Sequence, residues 1–429
     1  MKRIACLAGL IGFFQSAFGQ NLYFPPLVGN TWDQTSASTL GYSNERIDSL
    51  YAYLEANNSK GFLLLQDGKI VLEKYFGTFT QDSTWYWASA GKTLTAFAAG
   101  IASQKGLLDL QAPSHTYLGT GWSSMSVQQE DSVRVWHHIT MTTGLDYGVP
   151  NPDCTDPSCL QYKSPAGKQW YYHNAPYTLM DGIIENATGQ TLNGFVSQQI
   201  SYKTGISGLF IPVGDNNVFF SKMRSMGRFG LLLLAKGWWN GNPVLTDTQF
   251  LYNMSHSSQN LNPSYGYLTW LNGQSAYMLP GSSLRIPGTL LPSAPSDAYA
   301  AMGKNGQIIC VIPSQNRVWV RIGDRWNGSG IDQVPNVFCD RIWTYLNALE
   351  NSAGLNSQAP TGALYPQPAA AGDWLYGPFA QGEQLSFFDA QGRLVSRAVA
   401  AEGRVCMPVL SGWYILINEK GQKTRIWVY

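Results

Sequence analysis

The sequence predicts an α+β fold in which an antiparallel sheet is flanked by helices, with a helical subdomain beside it and a small all-β domain after it. Three observations carry this. Strand-like runs occur near the start of the chain and return only after a long stretch of helical pattern, so one sheet must be assembled from both ends. Both sets of runs read as hairpins, which are antiparallel units. A stretch rich in Ser, Ala, Gly, Gln and Pro, 351–363, lacks periodicity and reads as a linker, after which only short β-type runs and turns follow.

The elements follow in order. Met1-Lys2-Arg3, the apolar run Ile4 to Phe14 and the small residues before position 20 read as a signal peptide over 1–19. Asn44-Glu-Arg-Ile-Asp-Ser-Leu-Tyr-Ala-Tyr-Leu54 has helical spacing, with Ser43 or Asn44 as its cap. Gly61-Phe-Leu-Leu-Leu-Gln66 and Lys69-Ile-Val-Leu-Glu-Lys-Tyr-Phe76 flank Asp67-Gly68, a strong hairpin signal. Apolar stretches from Ser89 to Gly106, Pro165 to Gly189 and Ser221 to Gly237 read as helices or loop-to-helix units. Strands resume with Gly306-Gln-Ile-Ile-Cys-Val-Ile-Pro313 and Arg317-Val-Trp-Val-Arg-Ile-Gly323, and a last helix is expected over Val337 to Leu349. The first domain is thus 20–350. The second, 364–429, has the pattern of a small β-sandwich and carries no His and no catalytic cluster.

Composition narrows the function. With 28 Lys plus Arg against 27 Asp plus Glu, the net charge is +1, which excludes an electrostatic footprint for nucleic acid or an anionic surface and points to a small-molecule or peptide substrate. No apolar run reaches the ~20 residues of a membrane span, so no integral membrane segment is expected. The 15 Trp and 23 Tyr suggest loops lined with aromatics. Once Cys6 leaves with the leader, Cys154 and Cys159 stand in a Pro- and Asp-rich loop fit for a small disulfide in an oxidising compartment. Cys310 reads either as a small buried hydrophobe or as a partner of Cys339. His115, His137, His138, His173 and His256 form no H-E-x-x-H, so neither metal nor cofactor is expected.

The chemistry centres on Ser89-Ala90-Gly91-Lys92, which follows the aromatic run Trp85-Tyr-Trp-Ala88 and opens a buried helix. Three-residue spacing puts the hydroxyl and the amine on one helical face. A serine becomes a nucleophile only when a base takes its proton, and an amine against an apolar wall loses its charge more readily than one in water. The helix N-terminus adds backbone N–H groups for a developing oxyanion. Tyr172-His173-Asn174 presents a phenol and an amide on alternate positions and can extend the proton relay. Ala301-Met-Gly303-Lys304-Asn-Gly-Gln307 is expected to open the first late strand, where Gly303 permits close approach of backbone to a ligand.

In this order the three motifs resemble the serine β-lactamase and penicillin-binding-protein superfamily, nearest to class C β-lactamases and related esterases and amide hydrolases. The resemblance covers about 40 to 349 and includes Ile139-Thr-Met-Thr-Thr-Gly-Leu-Asp146, Tyr177 and Met226-Gly-Arg-Phe-Gly-Leu-Leu-Leu233. It implies that Ser89 is acylated, that Lys92 and Tyr172 manage its proton, that Asn174, Gly303 and Lys304 bind substrate, and that the N–H groups of Ser89 and Lys304 hold the oxyanion. The chain departs from the family at Ala301, where a Lys or His usually binds a substrate carboxylate. Esters or amides without that carboxylate are therefore expected, unless Lys304 or Lys163 substitutes. An α/β-hydrolase is disfavoured because Trp87 replaces the first Gly of G-x-S-x-G. Two alternatives remain: an idle module that binds cell-wall peptide or glycan, and a D-amino-acid carboxypeptidase or β-lactamase. The C-terminal residues Leu364-Tyr-Pro-Gln-Pro368, Phe388-Asp-Ala-Gln-Gly-Arg393 and Leu410-Ser-Gly-Trp-Tyr-Ile415 resemble the sorting domain of type IX secretion cargo, which implies a partner in that secretion machinery and a secreted or cell-surface location.

Overall fold

The computed structural model describes residues 22–328, 330 and 333–350, and in the C-terminal region 374–376, 379–389, 393–401, 403–406, 412–418 and 423–428. The expected leader (1–19) and linker (351–363) lie outside the described residues.

Helix α1 (Asn44–Ala56) starts at Ser43, whose side chain accepts from Arg46 N. It feeds strand β1 (Ser59–Gln66), which turns through Asp67 and Gly68, at φ 50 and 82, into β2 (Lys69–Tyr75). Positive φ at both turn positions is what a tight hairpin demands and what an Asp-Gly pair tolerates. Phe62, Leu63, Leu64 and Leu65 are all buried, because both faces of β1 are covered.

The far end of the chain completes the sheet with β3 (Trp270–Leu271), β4 (Tyr299–Gly303), β5 (Gln307–Ile312) and β6 (Arg317–Gly323). The order is β2-β1-β6-β5-β4-β3, antiparallel throughout, so β1 lies beside β6 with Ser59 opposite Gly323. Here the sequence reading needs one correction. Ala301-Met-Gly303 ends a separate strand, β4, instead of opening β5, and Lys304–Gly306 is the turn between them. The run Tyr299-Ala-Ala-Met-Gly303 has weak strand propensity; its place beside β5 makes it a strand, an instance of tertiary context overriding local preference.

Helix α2 (Gly91–Gln104) is buried along most of its length and packs against α3 (Asn174–Thr188), which also contacts the short helix Val135–Ile139. Helix α4 (Met223–Leu234) lies on β1, β5 and β6, while α1 packs against α5 (Asn336–Glu350) and β1. Alpha4 reaches the sheet through its glycines: a Cβ at Gly227 would stand 2.5 Å from Leu63 Cδ2, and one at Gly230 2.4 Å from Val318 Cγ1. Beside this body, Thr84–Tyr86, Asn216–Lys222 and Gly208–Val213 form a three-stranded sheet.

The C-terminal region is separately all-β, with a four-stranded sheet in the order 394–399, 384–389, 412–418, 423–428 and a pair 374–376 with 404–406. Leu375, Leu385, Phe387, Val405 and Leu416 form a core of their own. Among the described residues no helix is long and apolar enough to cross a membrane, and no cluster of His, Cys, Asp and Glu could hold a metal. Cys154 and Cys159 form a disulfide, with 5.9 Å between Cα atoms. Cys310 and Cys339 are buried and unlinked, in thiol contact with each other.

The α4 contact gives a test. Gly230→Ala places a methyl against Val318 and Ile309 in a packed core, which should cost about 1–3 kcal/mol in a urea denaturation curve. Gly237→Ala on the same segment would meet the Leu245 carbonyl at 1.8 Å with φ 79, and is expected to cost more.

Candidate active site

The strand Thr84–Tyr86 leads into a 3-10 turn, Ala88–Ala90, and straight on into α2. Trp87, fully buried, anchors the turn: its N–H donates to the Phe219 carbonyl at 2.8 Å, its indole N–H donates to Ser221 Oγ at 2.7 Å, and its ring packs edge-on to Phe219. Ala88 is held at φ 47, a conformation that a residue bearing a Cβ adopts only when its surroundings enforce it. Ser89 follows directly. One turn on, Lys92 Nζ donates to Ser89 Oγ at 3.2 Å.

Lys92 is 3% exposed, and desolvation lowers its pKa to about 7, against an upward pull from Asp153 and Asp181. Its ammonium lies 3.9 Å from the Tyr177 ring centroid and 5.4 Å from that of Tyr172, the soft environment open to a cation without a salt bridge. Tyr172 is buried in an aromatic cage with Trp270 stacked at 5.6 Å, Tyr265 at 6.2 Å and Trp170 at 6.5 Å. Burial pushes its hydroxyl above the usual tyrosine range, opposed by a smaller downward pull from Ser89. Tyr172 Oη lies against Ser89 without a hydrogen bond of ordinary length and angle.

Trp170 and Tyr172 come to this cage from a loop. Trp87, Trp170, Tyr265, Trp270 and Trp319 are interior. Tyr147 is half-buried and stacks on Tyr171 at 3.3 Å, and Tyr162, Tyr202, Trp238 and Tyr252 are exposed.

Beta4 supplies the opposite wall. A Cβ at Gly303 would lie 2.5 Å from the Trp87 carbonyl, 2.8 Å from Ala90 N and 2.9 Å from Ser89 N, so the strand end touches the serine turn backbone to backbone. The turn beyond it is held from two sides. Asn305 Nδ2 donates to Tyr86 Oη at 2.8 Å, and Arg321, fully buried, donates to the carbonyls of Asn305 at 2.6 Å and Gly306 at 3.1 Å. Lys304 is exposed between them and makes no ion pair among the described residues. Ala301 is buried on β4 and brings no charge. Lys163 is committed to Asp146 at 2.7 Å and lies over the Tyr147 ring.

Asn174 begins α3. Its Nδ2 donates to Asp153 Oδ1 at 2.9 Å, while its own Oδ1 is sealed and unpartnered. The structure thus brings Ser89, Lys92 and Tyr172 together, sets Gly303 against the serine turn, and places Asn174 beside an acid that the sequence reading did not single out. Asp153 precedes Cys154, so the disulfide loop holds it in place; an acid flanking a small disulfide was the signal present in the sequence. His173 is buried and neutral, its pKa lowered to about 4 by desolvation.

Comparison with known proteins agrees with this fold. A family model described as Beta-lactamase matches residues 58–321. An uncharacterized protein of Alkalihalophilus pseudofirmus is 25% identical over 323 residues, 66% of this chain and 90% of that one. Among solved structures, a Bacillus anthracis protein assigned as a 6-aminohexanoate-dimer hydrolase superposes with a TM-score of 0.57 at 16% identity, covering 77% of this chain and 89% of that one. A penicillin-binding-protein homologue from Caulobacter crescentus gives 0.54 at 12% identity, covering 72% and 98%.

The contact at Gly303 makes a sharp expectation. Gly303→Ala must push β4 off the serine turn, so the rate of acylation of Ser89 by an active-site reagent should fall by ~10²-fold or more, the scale of losing an oxyanion donor. Circular dichroism should show the fold retained.

Proposed function

The chain belongs to the beta-lactamase family, and on that premise we propose that it is a serine hydrolase that opens an ester or amide bond through an acyl-enzyme on Ser89. One observation carries the reading: a desolvated amine, Lys92, stands 3.2 Å from the Ser89 hydroxyl at the head of a buried helix. As Oγ attacks the substrate carbonyl, its proton passes to Lys92, directly or by way of Tyr172. The backbone N–H groups of Ser89 and Lys304 receive the oxyanion, and Gly303 has no side chain to keep them apart. Collapse breaks the bond to the leaving group, which takes the proton back, and water then attacks the acyl-enzyme along the same proton path in reverse.

The substrate side of the reading rests on charge. Ala301 offers no cation, Lys163 is occupied by Asp146, and Asp153 adds a carboxylate next to Asn174. A substrate whose acyl part bears a carboxylate is therefore disfavoured, and neutral or amine-bearing acyl groups are favoured. The reading extends to location: a leader over 1–19 and a sorting role for 364–429 would carry the hydrolase out of the cell, and the Cys154–Cys159 disulfide supports an oxidising destination.

Intact-mass spectrometry after exposure to a fluorophosphonate should show one adduct on the wild type and none on Ser89→Ala; no adduct on folded wild type would favour an idle binding module. Lys92→Ala should slow acylation by ~10²–10⁴-fold, the usual worth of a general base. Because the base is the uncharged amine, the rate should rise with pH through about 7; a midpoint near the ~10.4 of free lysine would overturn the role given to Lys92. Simple esters should be turned over faster than a cephalosporin.

A further inference from the structure

A second acid, half-buried with one oxygen sealed from solvent, lies behind Lys92. Asp181 is on α3, one turn beyond Tyr177, whose ring carries Lys92 on its face. Its Oδ2 accepts from Asn217 Nδ2 at 3.0 Å, from the strand Asn216–Lys222. Its other oxygen, Oδ1, is sealed from solvent and has no donor. The Oδ1 of the same Asn217 is also sealed and has no donor. Two acceptors left over on two side chains that are already bonded to each other is an uncommon arrangement, since each orphaned buried polar atom is costly. One proton satisfies both. Carried on Asp181 Oδ1 and donated to Asn217 Oδ1, it closes an eight-membered ring in which acid and amide each give and receive one hydrogen bond.

We propose that Asp181 is held as the neutral acid by this reciprocal pair with Asn217, and that it is a positioning residue which keeps the Lys92 amine uncharged and available to Ser89. The proposal deepens the hydrolase reading and, for its effect on Lys92, rests on it. The surrounding groups are consistent with a neutral acid. From α2 only Lys92 faces it. From α3 come Tyr177, whose hydroxyl shares a contact with Thr95 at 3.3 Å, and Glu185, whose carboxylate accepts from Leu192 N at 2.8 Å. On the packed strand the titratable group is Lys222, paired with Asp82 at 2.6 Å. The short helix Val135–Ile139 brings His138, kept neutral by burial, and His115 on the neighbouring turn faces Asp131. No cation other than Lys92 is aimed at Asp181 among these. Burial, with Glu185 adding to it and Asn217 and Lys92 opposing it, raises the Asp181 carboxyl to about 7. Its ionisation would place a carboxylate near Lys92 and hold that amine as ammonium, a form that cannot take a proton from serine.

Asp181→Asn tests this. An amide can keep both bonds to Asn217 but cannot ionise. Folded Asp181 binds a proton that the unfolded chain has released, so wild-type stability should fall as pH rises from about 4 to about 7. Asp181→Asn should lack that share of the fall. Asp340, raised to about 6 by burial, contributes equally in both proteins. Acylation by a fluorophosphonate should be retained in Asp181→Asn, with its midpoint on the pH axis unchanged or lower. The same pH slope of stability in both proteins would overturn the neutral acid. An acylation rate down by more than about tenfold, equivalent to a whole unit in the pKa of the base, would show that the carboxylate form is the one the site needs. If Asp181→Asn does not fold, ¹³C NMR of the aspartate carboxyls in Asp340→Asn answers the first question: one neutral carboxyl at pH 6 is expected, and none would refute the pairing. The stability and NMR arms need no activity, so they fail separately from the loss of adduct in Ser89→Ala.

Discussion

Gly303 touches the turn that carries Ser89 with backbone against backbone, and a large part of the molecule serves that contact. Beta4 must lie at its place in the sheet, which requires β5 beside it and β6 and β1 beyond. The serine turn must stay low against β4, and the buried Trp87, bonded to Phe219 and Ser221, holds it there. The turn after Gly303 is tied to the strand before Ser89 through Asn305 and Tyr86, and to the sheet through Arg321. The proposed nucleophile and its proposed second oxyanion donor sit on segments far apart in the chain, and these few bonds remove their freedom to drift.

Burial does the remaining chemical work. Arg321 loses solvent and is answered by a fan of carbonyls, a structural solution in which charge is spread over dipoles. Lys92 loses solvent and is answered only by aromatic faces and one serine hydroxyl, a solution that leaves its charge easy to remove. The two cations have the same cause of perturbation and opposite uses, and the difference lies in how many oxygens meet them.

Acids set the tone of the site. Asp153 stands at Asn174 in the disulfide loop and pulls upward on the Lys92 amine, while Asp181, behind Tyr177, spares that amine such a pull as long as it keeps its proton. With alanine at 301 and Lys163 already paired, the balance of charge turns away from anionic acyl groups. The exposed Lys304 is the remaining cation on that wall.

Much of this was legible in order along the chain. Local signals decided the hairpin at Asp67-Gly68, the cap at Ser43, the late strands and the helix from Ser89, because turn chemistry and apolar periodicity act over a few residues. The spacing of Ser89 and Lys92 alone places both groups on one helical face. Tertiary structure decided the rest. That Tyr299–Gly303 is a strand, that Trp87, Trp170 and Trp270 are interior, and that Asp153 and Asp181 come near Lys92 all depend on pairings between segments distant in sequence. Propensity is blind to such pairings; the free energy of closing the sheet and burying those side chains is what selects them.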